Sequence, residues 1–196
     1  MGAEADDDGL PVSLDELPTA HLRVLLDGLP VFERYGLLLA GGYAFRVHEI
    51  LHRPSQDLDF ATRDSTPLPE IAVHVQNAFQ TVGYHVELVE ATGRYARLTL
   101  RLPGPGEALE MDLMKEALDP SFVTVQVAAR ASVRALSLED TVGLKARAWH
   151  DRFVIRLAHR HPAGDRGRSP GARTHAPFGI EPMKHVIRTV HHVVFM

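Results

Sequence analysis

The run Leu37-Leu-Leu-Ala-Gly-Gly-Tyr-Ala44, followed after a short interval by His52-Arg-Pro-Ser-Gln-Asp-Leu-Asp59, is the stretch whose reading decides the fold of this chain. Gly36 to Ala40 is apolar and halts at Gly41 and Gly42, the pattern of a buried strand ending in a tight turn. Tyr43 to His52 holds no breaker and carries Phe45, Val47, Ile50 and Leu51, which predicts one short helix closed by Pro54. Asp57-Leu-Asp-Phe-Ala61 then alternates as a strand. Two glycines after a buried strand let backbone N–H groups approach a phosphate, and the helix they open favours negative charge at its start. Asp57 and Asp59, two apart on a strand, send their carboxylates to one face. Carboxylates held that close repel unless a cation sits between them. Mg²⁺ held by one or two carboxylates plus substrate phosphates is a common arrangement of this kind.

Working outward, Ser13-Leu-Asp-Glu16 reads as a capping box ahead of Leu22, Leu25 and Leu26, whose helical spacing runs to Gly28-Leu-Pro30. Downstream, Pro67 to Val82 is an amphipathic helix with Ile71, Val75, Ala78, Phe79 and Val82 on one face, closed by Gly83. Three strand-like segments follow, Tyr84 to Val89, Tyr95 to Leu102 and Ala108 to Met114, punctuated by Gly93 and Pro103-Gly-Pro-Gly106. Phe122 to Ala128 fits a further strand, and Ser137 to Arg152 a helix capped by Ser137 with Asp140 as its acidic partner. This order belongs to an α+β fold, a mixed β-sheet with helices packed on it. Within it, Asp112 supplies a third acid between the apolar Met111 and Leu113. Glu110 shares its face by alternation but is read as an outward-facing residue. Three carboxylates on adjacent strands would support two metal ions.

Composition bounds the rest. The 196 residues are 45% hydrophobic and 23% charged, with a mean hydropathy of -0.08, which excludes a wholly disordered chain. No apolar run approaches the roughly 20 residues that cross a bilayer. The acidic opening (Glu4, Asp6, Asp7, Asp8) is the opposite of a signal-peptide start, and the absence of cysteine excludes a disulfide framework and thiolate metal ligands. The expectation is a cytoplasmic protein without a membrane anchor. Net charge is -4 but unevenly spread: from Arg156 onward there are seven Lys/Arg against two Asp/Glu. The globular part is therefore acidic, and net charge argues for no particular partner. The expected organisation is an N-terminal helical segment (1–35), a core (36–155), a basic linker (156–182) rich in Gly, Pro, Arg and His, and a short C-terminal element (183–196).

The combination Gly41-Gly-Tyr-Ala44 … His52-Arg53-x-Ser55-x-Asp57-x-Asp59 resembles the nucleotidyltransferase signature of a glycine turn, a helix and Asp-x-Asp. Its Arg-x-Ser-x-Asp-x-Asp form resembles the AbiEii/MenT branch, the toxins of type IV toxin–antitoxin pairs, over about Leu37 to Arg152. The resemblance implies a polymerase-β-like nucleotidyltransferase core and two Mg²⁺ ions. It also implies an NTP as donor, the 3′ end of tRNA as acceptor with translation blocked as the outcome, and a cognate antitoxin protein as partner. It assigns Asp57, Asp59 and Asp112 as catalytic and metal-binding, and Gly41 and Gly42 as the phosphate-facing turn. Arg53, Ser55, Lys145 in Gly143-Leu-Lys-Ala146 and Arg152 become nucleotide-binding. The chain departs from the family at Tyr43, where a small hydroxyl residue is usual. It departs again after Arg152, where Val154-Ile-Arg-Leu-Ala-His159 lacks an expected acidic motif.

Each residue also has a plainer reading. An isolated Asp-x-Asp is usually solvent-facing, and only its coupling to the glycine turn and Arg53-x-Ser55 raises it. Arg53 is as well read as a structural ion pair to a nearby aspartate. Lys145 with Arg152 is, without the family match, a solvated helix face. His48 and His52, four apart, have metal-ligand spacing but no third ligand nearby and read as surface histidines. Two other functions are compatible with the motif: nucleotidyl transfer to a small molecule such as an aminoglycoside, and a non-catalytic nucleotide-binding module with a degenerate C-terminus.

Overall fold

A computed structural model describes residues 12–14, 17–51, 55–104, 106, 108–119 and 121–160, with the backbone alone at 12–13 and 151–160. The acidic opening, His52, Arg53 and the basic tail from His161 lie outside the described residues. Of Arg152, whose position falls on a described helix, only the backbone is described.

Eight strands and four helices are described. In chain order they are β1 (Val12–Ser13), α1 (Thr19–Arg34), β2 (Leu38–Leu39), α2 (Gly41–Val47), β3 (Leu58–Thr62) and α3 (Leu68–Thr81). Then come β4 (His85–Ala91), β5 (Tyr95–Arg101), β6 (Leu109–Lys115), β7 (Phe122–Ala128), β8 (Ala131–Leu136) and α4 (Leu138–Arg160). The strands form one sheet in the order β1-β7-β8-β2-β3-β6-β5-β4. β3 runs parallel to β6, β2 is parallel to β8 and antiparallel to β3, and β4-β5-β6 is an antiparallel meander. This is the expected α+β architecture, a mixed sheet with helices on it. Compact packing divides the chain between Lys145 and Ala146, so α4 begins in one unit and continues into the next. Among the described residues no helix is long and apolar enough to cross a membrane.

α3 and the meander follow the reading of the sequence, because their periodicity is strong: Ile71, Ala72, Val75 and Phe79 are fully or almost fully buried, and Leu98, Leu100, Met111 and Leu113 alternate inward. Gly83 follows α3 with φ 92°, a left-handed closure open to glycine without cost. At α4 the Asp140 N–H donates to Ser137 Oγ at 3.1 Å, the expected cap.

Elsewhere tertiary packing overrides local signals. Ser13 lies in β1, paired in parallel with β7, and α1 starts only at Thr19, behind Pro18 and with no side-chain cap. α1 also passes through Gly28 and Pro30 to Arg34, because burial of Val31 and Phe32 in the core holds its last turn in place. α2 starts at Gly41 rather than Tyr43 and ends at Val47. There Glu49 takes a left-handed backbone (φ 57°), and the amides of Ile50 and Leu51 both turn back to the Phe45 carbonyl. Asp57 precedes β3 rather than opening it. β8 had no sequence signal. Its turn at Ala129-Arg130 carries no glycine, proline or asparagine, and its inward side chains include the weak strand former Ala135. The basic composition beginning at Arg156 does not start a linker there, since α4 continues to Arg160.

Candidate active site

Strand alternation divides β3, β6 and β5 into two faces. One carries Leu58, Phe60, Leu98, Leu100, Met111 and Leu113 into the main core with α1 and α3. The opposite face carries Asp59, Asp112, Glu110, Arg97 and Tyr95. The pairing register aligns Asp59 with Asp112 across β3 and β6, Asp112 with Arg97 across β6 and β5, and Arg97 with Glu90 across β5 and β4. A row of ionisable residues thus crosses four strands, with two acids adjacent at its β3 end.

Asp59 is the most constrained member. A Cβ on Gly41 would lie 1.8 Å from its Oδ2, and Gly41 itself holds φ 54°. The Gly42 N–H donates to the Asp59 carboxylate, and a Cβ on Gly42 would come 2.5 Å from Ser55 Oγ. The glycine turn is therefore required by close approach to Asp59 and Ser55, where the sequence suggested close approach to a phosphate. Burial pushes the Asp59 carboxyl up to about 6; the charges of Asp112 and Asp57 push the same way, and the Gly42 amide and Lys145 pull it down. Lys145, on α4, is thus within electrostatic reach of Asp59, and its Nζ stands 6.0 Å from the Phe45 ring centroid. The sequence-derived set Gly41, Gly42, Ser55, Asp57, Asp59, Asp112 and Lys145 is brought together. His48, half-buried, donates from Nε2 to the Leu136 carbonyl at 2.9 Å, so it is a structural bond rather than a surface histidine.

Asp112 is not free. Arg97 grips it with two parallel bonds, Nε to Oδ1 and Nη2 to Oδ2, both 2.8 Å, and reaches Glu110 Oε2 from Nη1 at 3.3 Å. Asp112 holds the Arg97 guanidinium charged, its proton affinity raised far above the ordinary value, and burial with the Asp112 bond pushes Tyr95 up to about 12. Among the described residues no three acidic or histidine side chains converge on one point where a metal ion could sit. The chemistry of the donors nonetheless fits a divalent cation: a desolvated carboxylate crowded by two others is a site short of positive charge.

Sequence reasoning missed His21 and Arg97. His21, buried on α1, bonds through Nδ1 to the Tyr43 hydroxyl in the first turn of α2, and it also bonds the backbone of Gln56, next to Asp57. Burial holds the His21 imidazole below its ordinary value, against the raising effects of the Asp57 charge and the Gln56 bond, and burial pushes Tyr43 up to about 12. One side chain therefore braces both segments that carry the motif. No pattern in sequence marks it, since a histidine on an apolar helix face is unremarkable until its partners arrive.

A family model described as "Nucleotidyl transferase AbiEii toxin, Type IV TA system" matches residues 23–173. Two solved structures are similar to this chain. The crystal structure of JHP933 from Helicobacter pylori is 16% identical, with 74% of this chain and 68% of that one covered at a TM-score of 0.47. A crystal structure described as "putative nucleotidyltransferase from H. pylori" is 18% identical, with 76% and 70% covered at a TM-score of 0.44. No curated protein matches the chain. The family match spans most of the sequence and includes the glycine turn, the Asp57–Asp59 pair, Asp112 and Lys145, and this protein belongs to the AbiEii nucleotidyltransferase toxins of type IV toxin–antitoxin systems.

Proposed function

We propose that this nucleotidyltransferase toxin moves an NMP from an NTP to an RNA acceptor, the 3′ end of tRNA, in a Mg²⁺-dependent reaction that stops translation in the cytoplasm until a cognate antitoxin intervenes. The observation that carries the reading is the register pair Asp59–Asp112 with Asp57 beside it, backed by a glycine turn too close to Asp59 for any side chain. Asp57 and Asp59 would hold the metal, with Asp112 as the third carboxylate. Bound there, Mg²⁺ supplies charge neutralisation for the triphosphate and makes the acceptor hydroxyl more acidic. The Gly42 amide and the packed Gly41 keep the Asp59 carboxylate in one orientation. Lys145 would lie along the triphosphate, where its charge opposes that of the phosphates. In the transfer itself the acceptor hydroxyl oxygen bonds to the α-phosphorus, the bond to pyrophosphate breaks, and the hydroxyl proton leaves to a carboxylate of the site.

The test is transfer from labelled NTPs, offered separately to total RNA and to aminoglycosides in the presence of Mg²⁺. Label in tRNA, lost on the order of a thousandfold in Asp57→Ala together with growth arrest, supports the reading. Full activity of Asp57→Ala overturns the site. Label in aminoglycoside alone moves the substrate to a small molecule, and Mg²⁺-dependent NTP binding without product makes the protein a binding module.

A further inference from the structure

Arg97 lies on the same sheet face and has no part in the reading above, yet it occupies the carboxylate nearest Asp59 in register. We propose that Arg97 is a built-in counter-ion for Asp112 that competes with the divalent cation, so that a third carboxylate reaches the metal only when Arg97 lets go. The inference rests on the reading that Asp57 and Asp59 bind that metal.

The geometry is that of a two-position residue. In the first position Arg97 lies in a bidentate fork on Asp112, and both carboxylate oxygens are spent. The Asp112 side chain is 14% exposed, so the carboxylate half of the pair is largely shielded from water, which strengthens the fork. The second position is already half made, because Arg97 Nη1 is 3.3 Å from Glu110 Oε2 on the same face. Arg97 and Glu110 are 38% and 47% exposed, so the guanidinium can stay with Glu110 and water after leaving Asp112 without burying a lone charge. The fork commits both Asp112 oxygens to Arg97 on β5, and among the described residues no three acids converge on one point. A purely structural cross-strand pair predicts a stability cost when broken and no effect on metal affinity. A competing counter-ion predicts that breaking the pair tightens metal binding, since the cation no longer has to displace it.

Mn²⁺ binding to the full chain, followed by electron paramagnetic resonance, separates these outcomes. Arg97→Met keeps most of the stem and removes the charge, and it should bind Mn²⁺ roughly five- to fiftyfold tighter than the unaltered protein, the range of an ordinary coupling between sites. Arg97→Lys, which keeps the charge without the fork, should fall between the two. In chelator the melting temperature of Arg97→Met should be the lowest of the three, and Mn²⁺ should raise it the most. Binding that Asp59→Asn removes, but that is no tighter in Arg97→Met and Arg97→Lys, overturns the counter-ion role and leaves the metal site standing. Binding that is undetectable, or equal in Asp59→Asn, overturns the metal reading and this inference with it.

Discussion

The two faces of β3, β6 and β5 are built from alternate residues of the same segments and do opposite things. On the inner face Leu58, Phe60, Leu98, Met111 and Leu113 have almost no exposure and pack against α1 and α3. On the outer face Asp59, Asp112 and Arg97 concentrate charge in partial burial. Burial on the inner face lowers the free energy of the fold, whereas burial on the outer face costs free energy until a counter-charge is present. The lesson is that one register supplies both: the pairing that interdigitates the apolar side chains also sets Asp59 beside Asp112.

If the faces are separable in this way, Leu98→Ala should have the largest effect on stability and little on chemistry. Truncating a fully buried leucine costs about 2–5 kcal/mol, read as the denaturant midpoint, with nucleotidyl transfer per folded molecule retained. Loss of transfer in a folded sample would show that the core controls the site.

Gly41→Ala should join the two effects. The left-handed backbone costs about 1–3 kcal/mol for a non-glycine residue. The added methyl also drives into Asp59, so transfer should fall by on the order of a hundredfold, as expected for a misplaced reactive group. Gly36→Ala is the matched control. It has a similar φ of 52° with nothing within 4 Å, so it should lose similar stability and keep transfer.

Asp59→Asn should reverse the usual sign of a mutation. The folded-state value of about 6 lies above the ordinary 3.8, so between these pH values the native state holds more protons than the unfolded chain. Asp59 therefore subtracts stability as pH rises from about 4 to about 6, and the deficit is complete above that range. In chelator, denaturant melts should show the asparagine variant more stable by about 1–2 kcal/mol at pH 8 and no more stable near pH 4, while transfer is lost. Destabilisation at pH 8 would mean that Asp59 is held by compensating charge rather than strained by its neighbours.

The smallest effect concerns a residue on neither face. Ser137→Ala removes the cap of α4 and should cost about 1 kcal/mol in thermal unfolding, with a modest loss of transfer if the first turns of α4 carry Lys145 to the nucleotide.

Much of the fold was legible because α3 and the β4-β5-β6 meander carry strong, unbroken periodicities. β1, β8 and the far ends of α1 and α4 were not, because they are set by pairing and burial rather than by local propensity. The site was legible as far as the motif went. Arg97 could have been found from the sequence: the strand-like segments either side of Pro103-Gly-Pro-Gly106 are candidates for antiparallel pairing, and in the observed register Arg97 stands opposite Asp112. His21 had no such signal, since its partners are 22 and 35 residues away and reach it only through packing of α1.

The sequence by itself determined the chemistry available: a glycine turn, three aspartates and a lysine at spacings that strand and helix periods convert into shared faces. Those periods are local properties of the backbone, so they survive without knowledge of the fold. Only the tertiary structure decided which of these groups meet. It turned Gly41 and Gly42 toward Asp59 and Ser55, placed His21 beneath the motif, and gave Asp112 to Arg97. Contacts of that kind depend on strand register and helix docking, which are settled by how the whole core packs and not by any one segment.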